Sequence, residues 1–328
     1  MRRRELITLL GGAVAGWPLA VRAQQVRMPV VGFLGTASPT DDAFRIAAFR
    51  KGLEDGGYFE GKNITIEYRH AEDRYERLPA LAAELVRRGV AVIAAAGGGS
   101  ALAAKTATQS IPIVFSVGYD PVRTGLVASL NRPGGNLTGM ATLEGELDPK
   151  RFDVLHKLVP EAAVIGLLFN PTNAAGNVAG NSASMQQAGR MLGLQTRVLL
   201  AGNEQELDQV FASFRGNGIQ ALATSADTFL NSRARQLAAL SLRYGVPAIH
   251  ELKEFAAAGG LASYGASLPE IYRKVGAYAA RILKGEKPTD LPVQQPTKFE
   301  LVINLHTAKL LGLDVSPSML ATADEVIE

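Results

Sequence analysis

The sequence predicts an α/β protein built as two doubly wound parallel-sheet lobes joined by a multi-strand hinge. Three observations carry that expectation. Short β-branched apolar runs alternate with amphipathic helical stretches from Pro29 onward, the pattern of a parallel sheet covered on both faces. The alternation begins again near residue 164 and repeats in the same order. A chain of 328 residues is also enough for about two domains at roughly 150 residues each.

The elements follow in order. VVGFLGT (30–36) reads as a buried strand and 41–56 as a helix. ITIEYR (64–69) alternates as a strand, and 74–88 is a helix with Leu78, Leu81 and Leu85 on one face. VAVIAAAG (90–97) is a central strand running into GGGS and a helix that ends near Gln109, and IPIVFSV (111–117) is the next strand. The second series has strands VIGLLFN (164–170), LQTRVLL (194–200), GIQALATSAD (218–227) and VPAIHE (246–251). Helices over 177–192, 204–215 and 229–244 separate them. GFLGTASP aligns with GLLFNPTN, GVAVIAAAG with GIQALATSA and IPIVFSV with VPAIHEL, a repeated architecture with slight sequence identity. The remainder offers strand LASYGA (261–266), a helix over 268–283, a turn over 284–292, strand FELVIN (299–304) and a helix near 306–311. That is too little for a third domain, so these elements are expected to cross back and complete both sheets. The expected division is an N-terminal lobe of 29–142 plus about 265–292, and a C-terminal lobe of 143–264 plus about 293–328.

The first residues carry a different message. Arg2, Arg3 and Arg4 precede an uncharged run from Leu6 to Val21, and Val21-Arg22-Ala23 places small residues at the two positions a signal peptidase reads. Residues 1–23 are therefore expected to be an export signal cleaved near Ala23. Gly11, Gly12, Gly16 and Pro18 interrupt the run, which falls short of the ~20 apolar residues of a spanning helix. Arg3-Arg4-Glu5-Leu6-Ile7 suits twin-arginine export and the three arginines suit the Sec route equally. The whole chain has 34 basic and 31 acidic residues, and loss of residues 1–23 leaves 30 of each. A balanced mature protein has no global field to draw nucleic acid or an anionic membrane. The absence of Cys excludes thiol nucleophiles, Cys-type zinc sites, iron–sulfur clusters, disulfides and a lipid anchor on Cys. The expected location is the periplasm.

Catalytic and cofactor motifs fail on inspection. Gly97-Gly98-Gly99-Ser100 follows a strand and opens a helix, but Leu102 stands where a dinucleotide loop needs its last glycine. Gly56 to Asn63 approaches a P-loop, yet Asn63 replaces the magnesium-binding hydroxyl and the order is helix–loop–strand. His70, His156, His250 and His306 lack any metal-ligand spacing, and no G-x-S-x-G elbow occurs.

Ligands of open parallel sheets bind at the carboxyl ends of the strands, where helix N-termini supply unpaired N–H groups. Two hinged sheets would face each other across a cleft. The residues just past the strands are Thr36, Ser38, Gly97, Gly98, Gly99, Ser100, Tyr119 and Asp120 in the first lobe. In the second they are Asn170, Thr172, Asn173, Asn177, Ser225, Asp227, Glu251 and, past the hinge, Tyr264. Short hydroxyls and amides with a few carboxylates can hold the ammonium and carboxylate of a zwitterion. The same residue types cap helices for ~1 kcal/mol wherever they occur. Matching composition in two facing loops is what points to binding.

One segment is more specific. DPVRTGLVASLNRPGGNLTG (120–139) resembles the Asp-Pro-Val…Pro-Gly-Gly-Asn…Thr-Gly block of the ABC transporter substrate-binding family that includes tryptophan- and tyrosine-binding members. The resemblance extends to GFLGT (32–36), FRKGLEDGGYFEGKNITIEYR (49–69) and LVINLHTAKLLGLDVSPSML (301–320). It implies a type I periplasmic-binding-protein fold, capture of a small solute between the lobes, and delivery to an ABC permease in the inner membrane. It also implies that Ser100, Asp120, Asn170 and Asp227 meet the polar end of the ligand. The expected protein is a monomeric, non-enzymatic receptor for an amino acid or a related aromatic or organic acid, without cofactor, metal or nucleic-acid partner. An exported enzyme acting through Asp120 or Asp227, and a ligand-sensing subunit of a membrane receptor, are the alternatives on the same scaffold.

Overall fold

The computed structural model describes residues 28–173 and 178–328; the expected export signal and Asn177 lie outside the described residues. The first lobe opens with β1 (Val30–Gly35), α1 (Ala43–Asp55), β2 (Thr65–His70), α2 (Leu78–Arg88), β3 (Val92–Ala96), α3 (Gly98–Ala107), β4 (Ile113–Val117) and β5 (Leu137–Ala141). Its sheet is parallel throughout, in the order β2-β1-β3-β4-β5. Both faces are covered: Val31, Phe33 and Val92 pack on one side, Leu34, Ile93 and Phe115 on the other. Each such side chain, fully withdrawn from water, contributes about 1.5–3 kcal/mol.

The second lobe follows through α4 (Glu144–Leu158), β6 (Val164–Phe169), α5 (Val178–Met191), β7 (Gln195–Leu200), α6 (Glu204–Ala212) and α7 (Phe214–Asn217). Then come β8 (Ala221–Thr224), α8 (Thr228–Ser232), α9 (Ala234–Tyr244), β9 (Ala248–His250), α10 (Lys253–Ala257) and β10 (Ala262–Ala266). The chain returns to the first lobe with α11 (Leu268–Leu283), whose Gly276 meets Gly52 of α1. A Cβ on Gly52 would lie 1.9 Å from the Arg273 carbonyl oxygen, so only glycine permits this crossing. Residues 291–294 run along β5, with Ala141 N–H donating to the Gln294 carbonyl. The chain crosses again to β11 (Phe299–Asn304), α12 (Leu305–Leu310), α13 (Pro317–Leu320) and β12 (Glu325–Ile327). The second sheet reads β12-β11-β10-β9-β8-β6-β7, with β10 and β11 antiparallel and the other pairs parallel. The molecule is thus an α/β protein of two parallel-sheet lobes.

Local differences from the sequence reading have physical reasons. The expected helix over 229–244 is two helices, because the chain leaves helical geometry at Arg233. Strand β5 carries Gly139 at its centre, where a Cβ would lie 2.1 Å from the Phe115 carbonyl oxygen. The β5 sequence LTGMA therefore lacks the β-branched signature of a core strand. Helix α4 contains Pro149 and starts from Leu143 at φ 50°, features that read as breakers.

Candidate functional site

The carboxyl ends of both sheets converge on one cavity of about 100 Å³ between the lobes. From the first lobe, Gly97 and Gly98 open α3, while Ser116 to Tyr119 leave β4. Gly97 sits at φ 100°, and a Cβ there would lie 2.9 Å from Thr228 Oγ1 of the facing lobe, so glycine allows the close approach. From the second lobe come Phe169 at the end of β6, Asn173, Ser225 to Thr228 after β8, Asn231, and Glu251 after β9. Thr142, Glu144 and Asp148 enter from the crossing after β5 and from α4; Arg45 and Tyr272 reach in from α1 and α11.

The expected residues divide by what their side chains do. Gly98, Tyr119, Asn173, Ser225 and Asp227 line the cavity, as does Glu251. Thr36 and Ser100 are fully buried against each other, their hydroxyls 3.1 Å apart. Gly99 packs against Tyr75 and Leu78, away from the cavity. Ser38 is engaged with Asp41 at 2.7 Å. Asp120 turns into its own loop, accepting from Val122 N–H at 2.8 Å and Arg123 N–H at 3.2 Å, as an Asx turn does. Asn170 buttresses the wall, donating to Asp227 at 3.0 Å and accepting from the Thr172 hydroxyl at 2.7 Å. Tyr264 packs on Phe299, and its carbonyl accepts from Arg151 at 2.9 Å. These eight are therefore corrected from cavity lining to supporting or separate positions; local hydrogen bonding absorbs the polar groups that a strand-end reading assigns to ligand.

Asp227 holds several roles at once. Its Oδ1 caps α8 by accepting from Phe229 N–H at 2.9 Å and Leu230 N–H at 3.2 Å. Its Oδ2 accepts from Asn173 at 2.8 Å and from the Tyr75 hydroxyl of the other lobe at 2.9 Å. Arg233, at the other end of α8, pairs across the cleft with Asp73 at 3.0 Å and Asp41 at 3.4 Å. The short α8 segment thus bridges the lobes at both its ends.

The floor of the cavity is a buried charge cluster of which the sequence reading found only Glu251. Arg151 is fully buried and pairs with Glu144 and, at 2.8 Å, with Asp148. Asn231 donates to Glu251 at 2.6 Å, and Arg45 is held by Asp42 at 2.6 Å. Burial raises the Glu251 carboxyl to about 8, with the neighbouring Glu144 adding to the effect. Burial also raises Glu144, against the pull of Arg151, and lifts Asp148 to about 6. Tyr272 and Tyr119 are each pushed up to about 12 by burial. His250, beneath the cluster, is lowered to about 3 by burial and by Arg151, and accepts from Leu252 N–H at 2.9 Å. The available signal was the spacing of Glu144, Asp148 and Arg151, which places three charges on one helical face beside the apolar Phe152 and Leu155. Hydrogen-bond donors at the start of α3, aromatic rings from Tyr119, Phe169 and Tyr272, and carboxylates from the second lobe make the cavity suited to a small zwitterion with an aromatic part.

Known proteins agree in architecture. The family described as ABC transporter substrate binding protein matches residues 40–327. A tyrosine-binding protein from Clostridioides difficile strain R20291 is 28% identical over 265 residues, covering 81% of this chain and 75% of that protein. A crystal structure of a conserved domain protein from Vibrio cholerae O1 biovar eltor strain N16961 superposes with a TM-score of 0.83 at 25% identity, over 92% of this chain and 100% of that one. The structure of an ABC domain in complex with L-Trp from Streptococcus pneumoniae gives 0.81 at 22% identity, over 91% and 99%. The fold is that of the type I periplasmic binding proteins.

Proposed function

The chain belongs to the family of ABC transporter substrate-binding proteins, and we propose that it is the exported receptor of an importer that captures a small amine-bearing solute between its lobes. The observation that carries this reading is the interlobe cavity, with first-lobe backbone donors facing second-lobe carboxylates. An amino acid fits: its carboxylate meets the N–H groups that open α3, its ammonium meets Glu144 and Glu251, and an aromatic side chain lies among Tyr119, Phe169 and Tyr272. The names of the tyrosine-binding relative and of the L-Trp complex support an aromatic amino acid. Gly98, Tyr119, Asn173, Ser225 and Asp227 form the remaining contacts.

Capture is a two-state hinge motion in which solute favours closure. The lobes divide as 29–142 plus about 265–292 and 143–264 plus about 293–328, supported by the packing of α11 on α1 and by the crossings flanking it. Residues 1–23 direct export to the periplasm and are then removed. The protein works as a monomer that hands solute to an inner-membrane permease, and it binds without turnover. Thermal melting against a panel of amino acids tests this. A solute at a hundred times its Kd stabilises the fold by about 2.7 kcal/mol, and absence of a shift with every amino acid overturns the proposed ligand class.

A further inference from the structure

We propose that Arg45 is the specificity-determining residue of the cavity, its guanidinium edge receiving the carboxylate of the solute and restricting the receptor to carboxylate-bearing solutes. The proposal rests on the preceding reading of the cavity as the solute site and names the side chain that sets which way a zwitterion lies in it.

Arg45 stands in the first turn of α1, and its side chain is 3% exposed. It is the one cation among the described lining residues, against Glu144, Asp148, Asp227 and Glu251. Arg151 is fully buried below the cavity, where it pairs with Glu144 and Asp148, and it is not a lining residue. An anionic group in the cavity therefore has a single cationic side chain to oppose it.

The guanidinium is held from behind. Its Nη1 donates to Asp42 Oδ1 at 2.6 Å, and its Cζ lies 5.0 Å from the centre of the Phe44 ring. Asp42 is 1% exposed and stands back from the cavity wall. Gly35 at the end of β1 gives this carboxylate its room, because a Cβ there would meet Asp42 Oδ2 and, at 2.9 Å, His70 Nδ1. The bond to Asp42 occupies Nη1 alone. Nε and Nη2 have no hydrogen-bond partner among the described residues, and neither is sealed from open space. For a side chain so buried, that open space is the interlobe cavity. The Nε–Nη2 edge of a guanidinium presents two parallel N–H donors, the spacing that a carboxylate accepts with both its oxygens. A buried cation with unpaired donors is unfavourable, and a carboxylate satisfies both donors at once.

Arg45 belongs to the first lobe, whereas Asp227 and Glu251 belong to the second. A zwitterion then lies with its carboxylate on one lobe and its ammonium on the other, so closure joins both poles of one molecule. An amine of the same shape without the carboxylate leaves the Arg45 edge unpaired.

Isothermal titration calorimetry of the purified protein tests this with L-tyrosine, L-tryptophan, their decarboxylated amines tyramine and tryptamine, and desaminotyrosine, which is tyrosine without its amine. The parent is expected to bind each amino acid about 10–100-fold tighter than its amine. In Arg45→Met/Asp42→Asn, which removes the buried pair together so that neither charge is stranded, that preference should fall to within about threefold. Arg45→Lys keeps the charge without the planar fork, and its preference should be intermediate; it supplies the reading should the double variant not fold. The ratio of amino acid to amine is the readout, because a merely structural loss weakens both alike. A folded variant that keeps the full preference, or a parent that binds tyramine as tightly as tyrosine, overturns Arg45 as the carboxylate receptor and leaves the solute-receptor reading intact. Desaminotyrosine bound by the parent and lost in the double variant, with no amino acid bound, keeps Arg45 in its role and overturns the amino-acid reading. Failure of every probe to bind the parent overturns both.

Discussion

Removal of the Arg233 guanidinium is expected to open the empty cleft. Arg233 spans the lobes to Asp73 at 3.0 Å and Asp41 at 3.4 Å, and its side chain is 22% exposed, against 11% and 27% for its partners. Hydrogen bonds to charged groups contribute about 1.5–3 kcal/mol where buried, and partial exposure reduces this to about 1–2 kcal/mol for the arrangement. Arg233→Ala should therefore shift the open-to-closed ratio by roughly 5–30-fold. The Cys-free chain allows two unique labels, at Arg87→Cys on the first lobe and Asp208→Cys on the second, both exposed. Double electron–electron resonance then reads the interlobe distance distribution. A longer-distance population growing in Arg233→Ala, and receding in the charge-swapped Arg233→Asp/Asp73→Arg pair, is the expected result. Identical distributions in parent and Arg233→Ala would refute the latch.

Other perturbations have equally definite outcomes. Gly97→Ala combines a positive φ with a 2.9 Å approach to Thr228 Oγ1, so melting temperature should fall and the same distance measurement should show a wider cleft. Arg151→Met strands Glu144 and Asp148 as buried acids, a loss of about 3–5 kcal/mol readable by urea unfolding. The pH profile of the solute-free protein follows from the signs of the shifts. Glu251, near 8, and Asp148 and Asp73, each near 6, lie above their unfolded values, chiefly through burial. Their stabilising contribution is complete below the unfolded carboxyl range and is lost as pH rises through those values. His250, near 3, is depressed and contributes above about 6.5, a contribution lost as pH falls. Between pH 8 and about 5 the carboxyls outweigh the histidine, so stability should rise on acidification and then fall below about pH 4, at up to about 1.4 kcal/mol per proton per pH unit. Chemical denaturation across that range checks it, and Glu251→Gln should flatten the alkaline limb.

The strands were legible where both faces are buried, as in VVGFLG and VIGLLF, since nothing polar interrupts such runs. Strand β5 was hidden because Gly139 must admit the Phe115 backbone, and α4 because Pro149 and Leu143 resemble its limits rather than its interior. The site was legible only in part. Strand ends mark the rim, so Gly98, Tyr119, Asn173, Ser225 and Asp227 could be read from position alone. Which of two neighbouring polar residues faces the cavity depends on local bonds: Asp120 spends its carboxylate on Val122 and Arg123, while Asp227 caps α8 and still lines the wall. Glu144, Asp148, Arg45 and Tyr272 were hidden because helices and crossings, not strand ends, deliver them.

The most direct test of the central claim is a thermal-shift comparison of the parent with Ala226→Trp, which plugs the interlobe cavity, against L-tyrosine and L-tryptophan. Ala226 lines the cavity beside Asp227 and is partly exposed. The parent is expected to gain melting temperature with at least one of the two, and the plugged variant to melt cooperatively with no gain. An undiminished shift in Ala226→Trp would contradict binding between the lobes, and a parent unmoved by either solute would contradict the aromatic amino acid as its cargo.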